Sequence, residues 1–160
     1  MALLDKLLLT VEFPKLNTQS FDFTSPKDNG YNCIAWAAGE NDRVWWPDRG
    51  NAGYWPRGIP REETLPAFIA AYETLGFERC SSDLLEPGYE KIVIFADENC
   101  KPKHAARQLP CGAWTSKLGT SEDIRHDDPR GVEGPRYGNV VQFMRRELRT
   151  VDDNGTSADA

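Results

Sequence analysis

The sequence predicts an α+β domain in which helices come first and an antiparallel β-meander follows. Three observations carry this reading. An uncharged apolar run at residues 31–39 and an amphipathic stripe at 65–75 both read as helices. After Gly76 the period shortens, and runs rich in β-branched and aromatic residues take over. The turns between those runs are short, which joins neighbouring strands antiparallel rather than through parallel crossovers.

In chain order, Leu3-Leu4 and Leu7-Leu8 recur at helical spacing, so a short N-terminal helix or an apolar arm is expected before Pro14. Residues 15–29 read as an extended, turn-rich lead-in. Asp28-Asn29-Gly30 is turn and cap chemistry, and Gly39 a natural stop, so a helix between them that is apolar nearly all round is expected in the core. Residues 44–58 hold three of the five tryptophans among prolines and glycines and read as an irregular aromatic loop. Such a loop can seal the core, or it can line a substrate groove with Trp45, Trp46 and Trp55. Pro60 and Glu62-Glu63 open the next predicted helix. Leu65, Phe68, Ile69, Tyr72 and Leu75 form its stripe, and Gly76 closes it. Strands are expected at 77–80, 91–96, 103–109, 113–118 and 137–146, with a hairpin around Pro110-Cys111-Gly112. Residues 121–128 read as a solvated loop or ragged short helix. Residues 1–149 thus form one domain, and 150–160 a disordered acidic tail.

Composition narrows the function classes. A chain of 160 residues with 28% charged and 39% hydrophobic residues is a folded domain with room for a sizeable core. The net charge of −6 argues against nucleic acid as a partner, although Asp152, Asp153 and Asp159 contribute three of those charges. The N-terminal apolar run carries Asp5 and Lys6 and is too short to span a membrane, so no membrane partner is expected. Cys33, Cys80, Cys100 and Cys111 are widely spaced, without a C-x-x-C pair. No metal site and no cofactor are expected from them, and free thiols suit a cytoplasmic protein.

Cys33 would occupy the first turn of the buried helix, where free N–H groups favour a thiolate; it would equally serve as a small core residue. A thiol nucleophile needs a base, and usually a group that orients the base. The chain has two histidines. His104 enters a predicted strand and is the candidate base, while His126 falls in the polar segment and reads as solvated. By alternation Ser116, on the next strand, is the cross-strand candidate for orienting His104, with Gln108 and Asp123 as others. Lys117 reads as a surface charge, and Arg145, Arg146 and Arg149 as a solvated basic end.

The order of a cysteine on a buried helix, a further helix, then a sheet with histidine on one strand and a polar residue on the next resembles the papain-like peptidases and amidases, and within them the NlpC-type endopeptidases. Asn32 and Ile34-Ala35 flank the cysteine where NlpC-type enzymes usually show Asp and Ser-Gly. The resemblance implies a papain-like fold, Cys33 as nucleophile, His104 as base and Ser116 as orienter. The reaction would be acyl transfer on a peptide, amide or ester substrate. The oxyanion would meet the Cys33 N–H and a second donor, for which Asn29, Tyr31 and Asn32 are candidates. The phrases Tyr-Asn-Cys-Ile-Ala-Trp-Ala, His-Ala-Ala-Arg-Gln-Leu and Trp-Thr-Ser-Lys-Leu-Gly also resemble an uncharacterised bacterial family of small proteins, across residues 31–146. The competing expectation is a non-catalytic papain-like module that binds a protein partner, as an immunity or regulatory protein would.

Overall fold

The computed structural model describes residues 2–119 and 121–148, with side chains from residue 4 onward. The tail expected at 150–160 and Arg149 lie outside the described residues. The strand at the centre, β3 (Tyr89–Ala96), is apolar at successive rather than alternate positions because both its faces are covered. Ile92 and Ile94 face one buried cluster, Val93 and Phe95 the other. Around it lies a seven-stranded sheet in which every pairing is antiparallel. The strands are β1 (Phe21–Ser25), β2 (Glu78–Cys80), β3, β4 (Pro102–Gln108), β5 (Trp114–Lys117), β6 (Asp123–His126) and β7 (Asn139–Glu147), in the order β1-β6-β5-β4-β3-β7-β2. β3 to β5 form the expected meander, β6 extends it, and β7 returns to pair with the other side of β3.

Two strands were not expected. The lead-in contains β1, and the polar segment 121–128 contains β6, which bridges β1 and β5. β6 is buried although polar, because Asp123 and His126 find partners inside the fold. The helix of the second stripe is also shorter than its pattern. It runs as α3 (Leu65–Glu73), capped by Thr64, whose hydroxyl accepts from the Ala67 N–H at 3.3 Å. Pro60 and Glu62-Glu63 therefore precede it.

The central helix, α2 (Cys33–Ala37), is capped by Asn32 and ends at Gly39, whose φ of +90° closes the turn. α2 and α3 cover one face of the sheet together with Trp45 and Trp55, against Ile92, Ile94, Ala105 and Met144. The helices are not confined to that face. Phe13 and Leu16, which follow α1 (Ala2–Glu12), join Val132 and Tyr137 in covering Val93, Phe95, Ala106 and Trp114 on the other. No helix among the described residues is long and apolar enough to cross a membrane.

Candidate active site

The site begins with the cap of α2. The Asn32 side-chain oxygen accepts from the N–H groups of Ala35 (3.2 Å) and Trp45 (3.0 Å), and its amide donates to the Trp45 carbonyl (2.7 Å). This pins the aromatic loop to the helix start and fixes the direction in which Cys33 leaves the backbone. It also commits the Asn32 amide, so Asn32 is a structural residue here rather than an open oxyanion donor.

Cys33 packs in one cluster with Ala105 of β4, whose backbone N–H favours negative charge on the sulfur. β4 and β5 pair only at Arg107↔Thr115 and Gln108↔Trp114, so the earlier residues of β4 have no backbone partner in β5. The next residue back is His104. Its ring goes to the opposite face, over Phe95 and stacked on Tyr137 with centroids 4.0 Å apart. The thiol and the imidazole thus approach one strand at adjacent residues, from its two faces. No hydrogen bond joins them among the described residues.

The histidine ring is the end of a polar chain. His126 Nδ1 faces the Asp128 backbone carbonyl at 2.9 Å, and a carbonyl can only accept, so this nitrogen carries the proton. Neutral His126 then has a lone pair on Nε2, 2.8 Å from the Ser116 hydroxyl, which must donate to it. Ser116 Oγ in turn accepts from His104 Nε2 at 3.0 Å. Each step fixes the next, and the last atom is His104 Nδ1: deprotonated, fully buried and without a partner. Ser116 is therefore brought to His104 as expected. His126 is not solvated but is the member behind the serine, fully buried on the same side of the sheet. Alternation could have placed it there, because Ile124 and His126 share a face of β6 and Ser116 lies opposite Ile124; the signal was masked by the charges around it.

Burial sets the electrostatics. It pushes the Cys33 thiol up to about 11, against the Ala105 N–H and the Arg136 charge, both of which favour the thiolate. Burial holds His104 well below the usual imidazole range, with the charges of His126 and Arg136 acting the same way. It pulls His126 down to about 4, although the Asp128 carbonyl favours the charged form. Burial also raises the Tyr137 phenol, and a charge on Cys33 would raise it further. The resting pair is a neutral thiol and a neutral imidazole.

The other expected residues have different duties. Tyr31 donates to Asp123 Oδ2 at 2.8 Å on the α2 side of the sheet, the face away from the His104 ring, and Asp123 Oδ1 is buried without a partner. Gln108 lies at the far end of β4 and donates to the Asp83 and Gly112 carbonyls, so neither it nor Asp123 orients His104. Asn29 is exposed in front of α2. Trp45 and Trp55 are buried and donate to Glu40 and the Pro60 carbonyl, while half-buried Trp46 packs edge-on against Phe68. The aromatic loop seals the core. Lys117 is no surface charge: it is fully buried and donates to the carbonyls of Asp28 and Ser121. Arg145 and Arg146 are paired with Glu86 and Glu90. Among the described residues no group of three His, Cys, Asp or Glu side chains could hold a metal ion.

No curated protein and no solved structure matches the chain. Residues 22–145, the stretch that carries Cys33, His104, Ser116, His126 and Tyr137, match the family model described as Domain of unknown function (DUF7689), and the chain belongs to that family.

Proposed function

We propose that this chain is a papain-like cysteine hydrolase that cleaves an amide or ester, peptides included, through Cys33 and His104. The observation that carries the proposal is the hydrogen-bond chain ending at His104 Nδ1. A general base needs an unprotonated nitrogen held in one orientation, and Ser116 and His126 supply that tautomer from behind. The Ala105 N–H beside the sulfur and the charge of Arg136 favour negative charge on it.

Because thiol and imidazole are both neutral at rest, proton and sulfur move together. The two groups lie on opposite faces of β4. As Cys33 Sγ attacks the carbonyl carbon its proton therefore reaches His104 Nδ1 through a bridging water, past the stretch of β4 that β5 leaves unpaired. The C–O double bond opens to an oxyanion that the Cys33 N–H receives. The imidazolium returns the proton to the leaving amine or alcohol as that bond breaks, leaving a thioester. Water, deprotonated by the same nitrogen, hydrolyses it and restores the thiol. Four unpaired thiols suit a reducing, cytoplasmic setting for this chemistry.

Exposed Cys100 and Cys111 provide an internal standard for the test. With a limiting peptidyl chloromethyl ketone near pH 7, peptide mapping should find Cys33 modified faster than either. His104→Gln, which keeps a donor for Ser116 but no base, should slow Cys33 about tenfold or more and leave the other two unchanged. Labelling of Cys33 no faster than that of Cys100 and Cys111 in both proteins would reject the hydrolase.

The second reading, a non-catalytic module that binds a protein partner, is favoured by the cover over the thiol, which is 7% exposed. It is favoured too by α1, which turns Leu4, Leu7, Leu8 and Val11 outward in one stripe. On that reading the chain from Asp128 to His104 only ties β4, β5 and β6 together, and Cys33 stays inert in the same experiment.

A further inference from the structure

At the end of β4 away from His104, a cavity of about 380 Å³ opens between the 85–90 segment and the β4–β5 hairpin, within the size range of small-molecule sites. Its walls are largely apolar and include Leu85, Leu109, Pro110 and Leu148. Leu85 and Leu148 are each 50% exposed, an unfavourable arrangement for two leucines side by side in water. Two acids line the cavity, but both are neutralised: Glu86 by Arg145 and Lys91, Glu90 by Arg146. Arg107 is the exception. It lies over the Trp36 ring at 4.2 Å, and among the described residues no acceptor receives a hydrogen bond from it. Its Nε is buried without a partner. Its Nη groups, which are not enclosed in this way, also lack an acceptor among the described residues, and they are the donors a ligand in the cavity would meet.

We infer that this cavity binds a small amphipathic carboxylate, with the carboxylate on Arg107 and its apolar body between Leu85, Leu109, Pro110 and Leu148. Trp36 covers one face of the guanidinium and leaves the edge, which suits the two-pronged pairing of a planar carboxylate. A single negative charge matches the one uncompensated cation of the lining, Arg107, whereas the double charge of a phosphate would leave one charge unmatched. The inference rests on no part of the hydrolase reading.

Octanoate is the probe, titrated against the full chain by calorimetry and by the fluorescence change of Trp36. Octanoate should bind saturably, and octanamide, of the same shape without the charge, about tenfold or more weakly. Arg107→Gln should weaken octanoate by a similar factor. Leu148→Glu, at a half-exposed position whose change leaves the core intact, should do so as well and decides the matter if Arg107→Gln does not fold. Acetyl-leucyl-leucine, run in parallel, distinguishes a peptide C-terminus from a free acid: tighter binding of either supports the site. The inference is overturned if neither carboxylate saturates below about 10 mM, if octanamide binds as well as octanoate, if Arg107→Gln or Leu148→Glu folds and binds unchanged, or if phosphate binds as tightly.

Discussion

The burial of both histidines makes acid the sharpest probe of this fold. In the unfolded chain each titrates near its ordinary value of about 6.5. In the folded chain His126 is pulled down to about 4 and His104 also lies well below its usual range. Folded values below unfolded ones mean that the unfolded state binds protons first. The stability is therefore present above about pH 6.5 and drains away as the pH falls toward the folded values. Each proton taken up only by the unfolded chain costs about 1.4 kcal/mol per pH unit, so from pH 7 to 5 His126 removes about 2 kcal/mol, and His104 adds to the loss in the same direction. That is a large share of a typical total of about 5–15 kcal/mol. The window is clean. The carboxylates with perturbed values, among them Glu40 and Asp97, have theirs lowered and so act only below about pH 4.5. The Cys33 thiol is raised and acts only in alkali. Urea unfolding at half-unit steps between pH 7 and 5 measures the slope. His126→Gln, with one titrating group removed, should lose the His126 part of it. A wild-type stability flat to within about 1 kcal/mol over that range would refute the burial of the two rings and, with it, the tautomer assignment.

Two further outcomes follow from the backbone around the site. Asn32→Ala removes the cap of α2 and both bonds to Trp45, and urea unfolding should show a loss of about 2–4 kcal/mol with faster proteolysis of the 44–58 loop. Gly138 lies at φ +75°, and a Cβ there would stand 2.0 Å from the Ala96 carbonyl oxygen, so Gly138→Ala should cost about 3 kcal/mol or more by the same assay and disturb the neighbouring Tyr137 that stacks on His104.

What could be read from the chain alone follows from where burial is apolar. β3 was legible because burial on both faces writes a continuous run, Ile92-Val93-Ile94-Phe95, and α2 because its surroundings exclude charge all round. β1 and β6 were not, because β6 spends its buried positions on Asp123 and His126, and the groups that satisfy these lie on other elements, Tyr31 before α2 and Ser116 on β5. A polar strand whose partners come from other elements has the composition of a loop. Lys117 was misread for the same reason, its two carbonyl acceptors being supplied by turns at Asp28 and Ser121. In the site, alternation sufficed to bring Ser116 to His104, since it depends only on strand register. Gln108 lies on that same face but four residues further along β4, where the hairpin and Asp83 claim its amide.

The choice of serine between the two rings can be argued from direction. A chain of hydrogen bonds that must run one way needs, at its middle, a single atom that accepts on one side and donates on the other, and a hydroxyl is the smallest group that does so. A carboxylate there could accept from His104 but could not donate to His126 Nε2, and would draw a proton onto that nitrogen and place charge in a fully buried position. With serine the three side chains stay neutral and the polarity set by the Asp128 carbonyl reaches His104 intact. A purely structural core would do as well with apolar residues of the same shape, which satisfy one another without orphans. This arrangement instead ends on an unpaired Nδ1, at a standing cost of about 1–3 kcal/mol. An atom kept unprotonated, oriented and unpaired at that cost is what the proposed transfer of the Cys33 proton requires.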